Sequence, residues 1–124
     1  MAGGRPSIYT SSLAKLICDR IIDGQSLRSI CKDEDMPTMS SIFLWLSSEK
    51  HPEFSEMYRE AKKLQADALM EDALAIADES WNDTVIGKNG DEIANGEWIS
   101  RSRLRVETRM KIAAKLEPRK YGDK

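Results

Sequence analysis

Histidine occurs once in this chain of 124 residues, at His51. A Ser–His or Cys–His catalytic pair would have to rest on that one imidazole, in a His51-Pro52 step that reads as a helix start. Cysteine occurs twice, at Cys18 and Cys31, without Cys-x-x-Cys spacing, so a structural zinc site lacks ligands. Both are read as small apolar residues of a reduced chain. No Gly-x-x-x-x-Gly-Lys phosphate loop is present, and Gly87 and Gly90 belong to a turn. No apolar run approaches the ~20 residues of a membrane span. Met1 to Pro6 does not read as a signal peptide. Asp67, Glu71, Asp72, Asp78 and Glu79 crowd one segment and could hold a nuclease metal, but a solvated acidic face is the commoner meaning. The expectation is a non-enzyme without cofactor or metal, acting by binding.

What is present suits a helix-rich soluble protein of one domain or two small ones: 40% apolar, 32% charged and only 6% aromatic residues. The net charge of −2 conceals a segregated pattern. Residues 1–53 carry 6 Lys/Arg and 7 Asp/Glu; residues 54–100 carry 4 and 11; residues 101–124 carry 9 and 3. One explanation is a helical pair with complementary faces, acidic against basic. The other is a basic face for nucleic acid or an acidic partner.

The punctuation predicts the elements. Residues 1–9 form a polar arm, Gly-Gly-Arg-Pro being close to a minor-groove hook with one arginine, Arg5. Thr10, Ser11 or Ser12 caps a first helix carrying Leu13, Leu16, Ile17, Ile21 and Ile22, stopped at Gly24. Ser26 caps a second helix with Leu27, Ile30 and Cys31 inward, broken by Met36-Pro37. Thr38 caps a third, with Ile42, Trp45 and Leu46 buried. That is a helix-turn-helix over residues 10–52. A long helix without Gly or Pro follows, roughly residues 53–80. It is apolar on more than one side, so it needs more than one neighbour. Asn-Gly within Lys88-Asn89-Gly90-Asp91 signals a hairpin over 83–99 with two positive-φ turn residues. Ser100 caps a last helix, about 101–116, ended by Pro118. The fold class expected is mainly α: a helix-turn-helix domain, then a long antiparallel helical pair with a β-hairpin insertion, forming a ring oligomer. The boundaries are an arm 1–9, a DNA-binding domain 10–52, an oligomerisation domain 53–117 and a tail 118–124.

In such domains the third helix enters the major groove, and flanking cations and hydroxyls hold phosphates. The candidate DNA-binding residues are Arg5, Lys15, Arg28, Lys32, Thr38, Ser40, Ser41, Ser47 and Lys50. Ser40, Phe43, Leu44 and Ser47 face outward, a surface poor in the Arg, Asn and Gln that read bases. One domain should bind weakly, and an oligomer should raise avidity. The candidate oligomerisation residues are Met57, Ala61, Leu64, Ala68, Leu69, Ala73, Ile76, Leu104 and Ile112.

Several blocks together resemble the phage terminase small subunits: Gly4-Arg5-Pro6-Ser7, Met36-Pro37, Trp45-Leu46, Arg103-Leu104-Arg105-Val106-Glu107-Thr108-Arg109, and, most specific, Pro118-Arg119-Lys120-Tyr121-Gly122-Asp123-Lys124. The resemblance implies a ring that binds the packaging-initiation site on double-stranded viral DNA in the host cytoplasm, and the apolar excess on residues 54–80 and 104–116 implies more than four subunits in it. The resemblance also implies delivery of that DNA to the large subunit, the ATPase and nuclease, with Pro118, Arg119, Lys120 and Tyr121 as the contact, outside the helical core. Two departures stand out. Leu44 replaces a frequent basic residue, and the chain stops at Lys124 where relatives usually continue into a strand. The competing classes are a dimeric transcription regulator or recombinase domain, which would share the first 50 residues, and a scaffold.

Overall fold

The computed structural model describes residues 5–122. In chain order the elements are α1 (Ser11–Ile22), α2 (Leu27–Ile30), α3 (Met39–Ser47), α4 (Pro52–Asp78), β1 (Thr84–Ile86), β2 (Glu92–Ala94), α5 (Gly96–Leu116) and α6 (Pro118–Tyr121). They form two compact units, Met1–Gln65 and Ala66–Lys124.

The first unit is built on three side-chain caps. Thr10 Oγ1 accepts from the Leu13 amide at 3.1 Å, Ser26 Oγ from Ser29 at 3.1 Å, and Thr38 Oγ1 from Ser41 at 3.3 Å. Each satisfies an amide that the first helical turn leaves unpaired, and removing such a cap costs about 1 kcal/mol. Gly24, at φ 100°, takes the left-handed conformation that ends α1. The buried stripe of α1 is Ala14, Ile17, Cys18 and Ile21, the i, i+3, i+4, i+7 pattern of one helix face. Leu16 therefore lies off the stripe, 48% exposed, and is not the core residue its spacing suggested. Ile30, Met36, Ile42, Trp45, Phe54 and Ala61 complete this core, with Leu27 and both cysteines. Trp45 is buried, with Tyr9 edge-on at 5.6 Å and Phe54 at 6.4 Å, so it is a packing anchor and not a base-stacking platform. Gln65 is the one buried polar side chain among the described residues. It accepts from Lys62 Nζ at 2.8 Å and donates to the Gln25 carbonyl at 2.9 Å, which satisfies its buried amide.

The second unit has a smaller core of Ala66, Leu69 and Ala113, flanked by Met70, Leu116 and Tyr121. Its hairpin pairs Thr84 with Ala94, Val85 with Ile93 and Ile86 with Glu92. The turn differs from the two-residue form expected. Among the described residues only Gly24 and Gly90 have positive φ; Asn89 does not. The Gly90 amide bonds the Gly87 carbonyl at 3.0 Å and Gly87 bonds Asp91 at 2.8 Å. That makes a five-residue connection with one left-handed glycine after a turn, the usual longer alternative. Two three-residue strands, exposed throughout, are marginal alone. Their base is held by the Asn95 amide on the Asp83 carbonyl at 2.7 Å and by Trp81 against Trp98, ring centroids 5.0 Å apart.

The last long helix also starts earlier than its sequence suggested. Asn95, not Ser100, is the cap, its side chain accepting from the Trp98 amide at 3.3 Å. Glu97 in the first turn favours the positive end of the helix. Pro118 ends α5 but opens α6 as its first residue, a position where proline needs no amide partner. The tail is thus not outside the helical core: Tyr121 packs against the second core.

Candidate nucleic-acid interface

Residues 5–65 hold nine Lys/Arg and nine Asp/Glu. Six of the nine cations already have a side-chain engagement. Arg5 donates to the Cys31 carbonyl at 2.7 Å, Lys15 pairs with Asp19 at 3.0 Å and Arg20 with Asp33 at 3.2 Å. Arg59 pairs with Glu56, Lys63 with Glu60, and Lys62 bonds Gln65. Arg28, Lys32 and Lys50 are exposed and have no side-chain partner among the described residues. Arg28 and Lys32 stand one turn apart at α2 and its exit, and Lys50 lies just beyond α3.

Between them runs a helix with no charged residue, Met39–Ser47. Ser40, Phe43, Leu44 and Ser47 are exposed on it, Phe43 by 51% and Leu44 by 65%. Most of its hydroxyls are engaged. Thr38 Oγ1 and Ser41 Oγ lie 3.2 Å apart while Thr38 also caps the helix, and Ser47 Oγ donates to the Leu44 carbonyl at 3.2 Å. Of the nine DNA-binding candidates, Ser41 is half-buried and the other eight are exposed.

The arm leads into a clasp that sequence reasoning missed. Tyr9 donates to Glu53 Oε2 at 2.6 Å and stacks on His51 with centroids 3.8 Å apart. Burial first, then the bond to Glu53, pushes the Tyr9 hydroxyl up to about 12. Glu53 is held below its usual range, chiefly by that same hydrogen bond. Tyr9 and Glu53 are 44 residues apart, and no spacing rule links them.

The oligomerisation candidates divide. Ala61 lies in the first core, and Leu69, Ala73 and Ile76 are buried in the second unit. Met57 packs on the first core, and Ala68 is half-buried. Leu64, Leu104 and Ile112 remain open at 49%, 61% and 41%, as do Leu74 and Met110. Of the large-subunit candidates, Tyr121 and Lys120 are held by Asp67, at 2.6 and 2.9 Å, while Pro118 and Arg119 are exposed. Of the five carboxylates Asp67, Glu71, Asp72, Asp78 and Glu79, Asp67 has an ion-pair partner and the others have none among the described residues. Nor do three or more His, Cys, Asp or Glu cluster to hold a metal there.

The family described as "Bacteriophage Sf6, terminase small subunit-like" matches residues 9–124. The chain belongs to this terminase small subunit family. Three crystal structures of the terminase small subunit gp1 of the bacterial virus Sf6 share its fold. They carry a lysine-to-glutamate, an arginine-to-alanine and an aspartate-to-arginine substitution; the first two align at TM-score 0.79 and the third at 0.78. Each is 36% identical to this chain, over 96% of it and 81% of the Sf6 chain. No curated protein matches the sequence. The general role of the family, in phage genome packaging, applies to the chain. Among the described residues, no helix is long and apolar enough to cross a membrane.

Proposed function

We propose that this chain binds double-stranded viral DNA at the packaging-initiation site through its helix-turn-helix. We further propose that it acts as a ring of more than four copies and passes that DNA to the large terminase subunit in the host cytoplasm. The observation that carries the DNA assignment is the set of three exposed cations without a side-chain partner among the described residues, Arg28, Lys32 and Lys50, which flank in sequence a helix without charge. A cation without a partner has no carboxylate to leave when it meets a phosphate and releases the counterion from DNA. Equal numbers of cations and carboxylates in residues 5–65 make a single unit a weak binder. Several copies on one duplex supply the missing affinity as effective concentration. The apolar residues left open, Leu64, Leu74, Leu104, Met110 and Ile112, support self-association, and a heterologous contact repeats until the ring closes. The chain itself supplies no catalysis, and ATP hydrolysis belongs to the large subunit.

The test is an Arg28→Ala, Lys32→Ala, Lys50→Ala variant measured against duplex DNA across a salt series. Each lost phosphate contact lowers the slope of log affinity against log salt by about 0.9. The triple variant should therefore lose about 2.7 from that slope per engaged subunit, for all sequences alike, at unchanged assembly mass. Parent-like binding by the variant would place DNA on another surface.

A further inference from the structure

Resting on the DNA reading above, we propose that α3 selects its site by the 5-methyl groups of thymine, with Phe43 and Leu44 as the specificity-determining residues. The outer face of α3 holds little other chemistry. It has no charged side chain, and no Asn or Gln. Thr38 and Ser41 are occupied with each other and with the helix cap, and Ser47 donates to its own helix. On this face of α3, Ser40 is the one exposed hydroxyl without a side-chain bond among the described residues. Phe43 and Leu44 project beside it, 51% and 65% exposed.

The bulkiest apolar group in the major groove is the methyl at C5 of thymine, where cytosine has only a hydrogen; N7, O6, N6, N4 and O4 are donors or acceptors. A Phe–Leu pair gains by covering that methyl. Polar edges lose water under these side chains at A·T and G·C pairs alike, with no hydrogen bond in return, so the methyl is what separates the two. The preference is therefore for thymine at the steps under Phe43 and Leu44. A duplex is the occupant because the free cations Arg28, Lys32 and Lys50 belong to the same helix-turn-helix, and α3 adds no negative charge to oppose phosphate.

The experiment uses the full-length assembled protein and four duplexes of equal length: A·T-rich, the same with deoxyuridine in place of thymidine, G·C-rich, and the last with 5-methylcytosine. Uracil keeps the pairing and removes the methyl; 5-methylcytosine restores a methyl at the same place in the groove. The thymine duplex should bind about fourfold tighter than the uracil duplex for each methyl contacted, the ratio set by burying one methyl-sized group. The salt slopes should be equal. Phe43→Ser with Leu44→Ser should abolish the difference and keep the salt-dependent remainder; both side chains are exposed, so the fold should persist. Equal binding of thymine and uracil duplexes, with salt dependence intact, overturns methyl readout and leaves the DNA reading standing. Loss of assembly in the serine variant, without change in DNA affinity per subunit, assigns the face to protein contact and also overturns it. Failure of the alanine variant at Arg28, Lys32 and Lys50 to weaken any duplex overturns the DNA reading beneath both.

Discussion

Leu104→Asp combined with Ile112→Asp tests assembly at the apolar surface that the protomer leaves open. Burying an aliphatic side chain fully contributes roughly 1.5–3 kcal/mol. Leu104 is 61% exposed and Ile112 41%. The parts still open can therefore give roughly 1–2 and roughly 0.6–1.2 kcal/mol to a subunit contact. Losing both weakens that contact by about ten- to a hundredfold, before counting the cost of bringing two carboxylates out of water. A closed ring has as many contacts as subunits, so the penalties multiply round it. The double variant should run as monomer or short open species by native mass spectrometry and sedimentation, at concentrations where the parent forms the proposed ring. Its helix content and melting should match the parent, since neither side chain is in a core. Leu69 and Ile76 are unsuitable for this purpose: they are 8% and 4% exposed, and aspartate there would disrupt the second unit itself. A double variant that assembles at the parent's mass and concentration would refute this placement of the interface. So would a parent that is a clean dimer.

Two further outcomes follow from the same geometry. Tyr9, pushed from 10.0 to about 12, and Cys18, pushed by burial from 9.0 to about 11, both hold their protons more tightly folded than unfolded. Their contribution is full below about pH 9 and is lost as pH rises to about 12; urea midpoints should fall over that window, Tyr9→Phe should flatten its upper part, and a flat parent profile would contradict the assignment. Arg119→Ala, at an exposed side chain without a partner among the described residues, should leave assembly and DNA binding unchanged but remove stimulation of the large subunit's ATPase; ATP turnover by the purified small protein alone would refute the non-enzyme reading.

The legible parts of this fold are those fixed by local chemistry. Thr10, Ser26 and Thr38 cap three helices because a hydroxyl can reach an amide three residues on, and Gly24 stops one because only its φ of 100° asks for glycine. The start of α5 was illegible because Asn95 and Ser100 are both able caps and Gly96 imitates a breaker; what the structure adds is Trp98, in the first turn, meeting Trp81. The Asn-Gly turn misled because the dipeptide suits two positive-φ residues while the observed loop requires one. Charge shows the boundary most clearly. Composition counts nine cations in residues 5–65 but cannot divide them, since the division depends on partners far along the chain. Arg5 is consumed by a carbonyl 26 residues away, and Arg20 by a carboxylate 13 away. Only after those bonds are drawn do Arg28, Lys32 and Lys50 remain without a side-chain partner among the described residues, and the proposed phosphate contacts rest on that rather than on the number of basic residues. The same subtraction applies to α3: with Thr38, Ser41 and Ser47 bonded locally, a face that looks mixed in sequence becomes an apolar one, and its chemistry narrows to what Phe43 and Leu44 can touch.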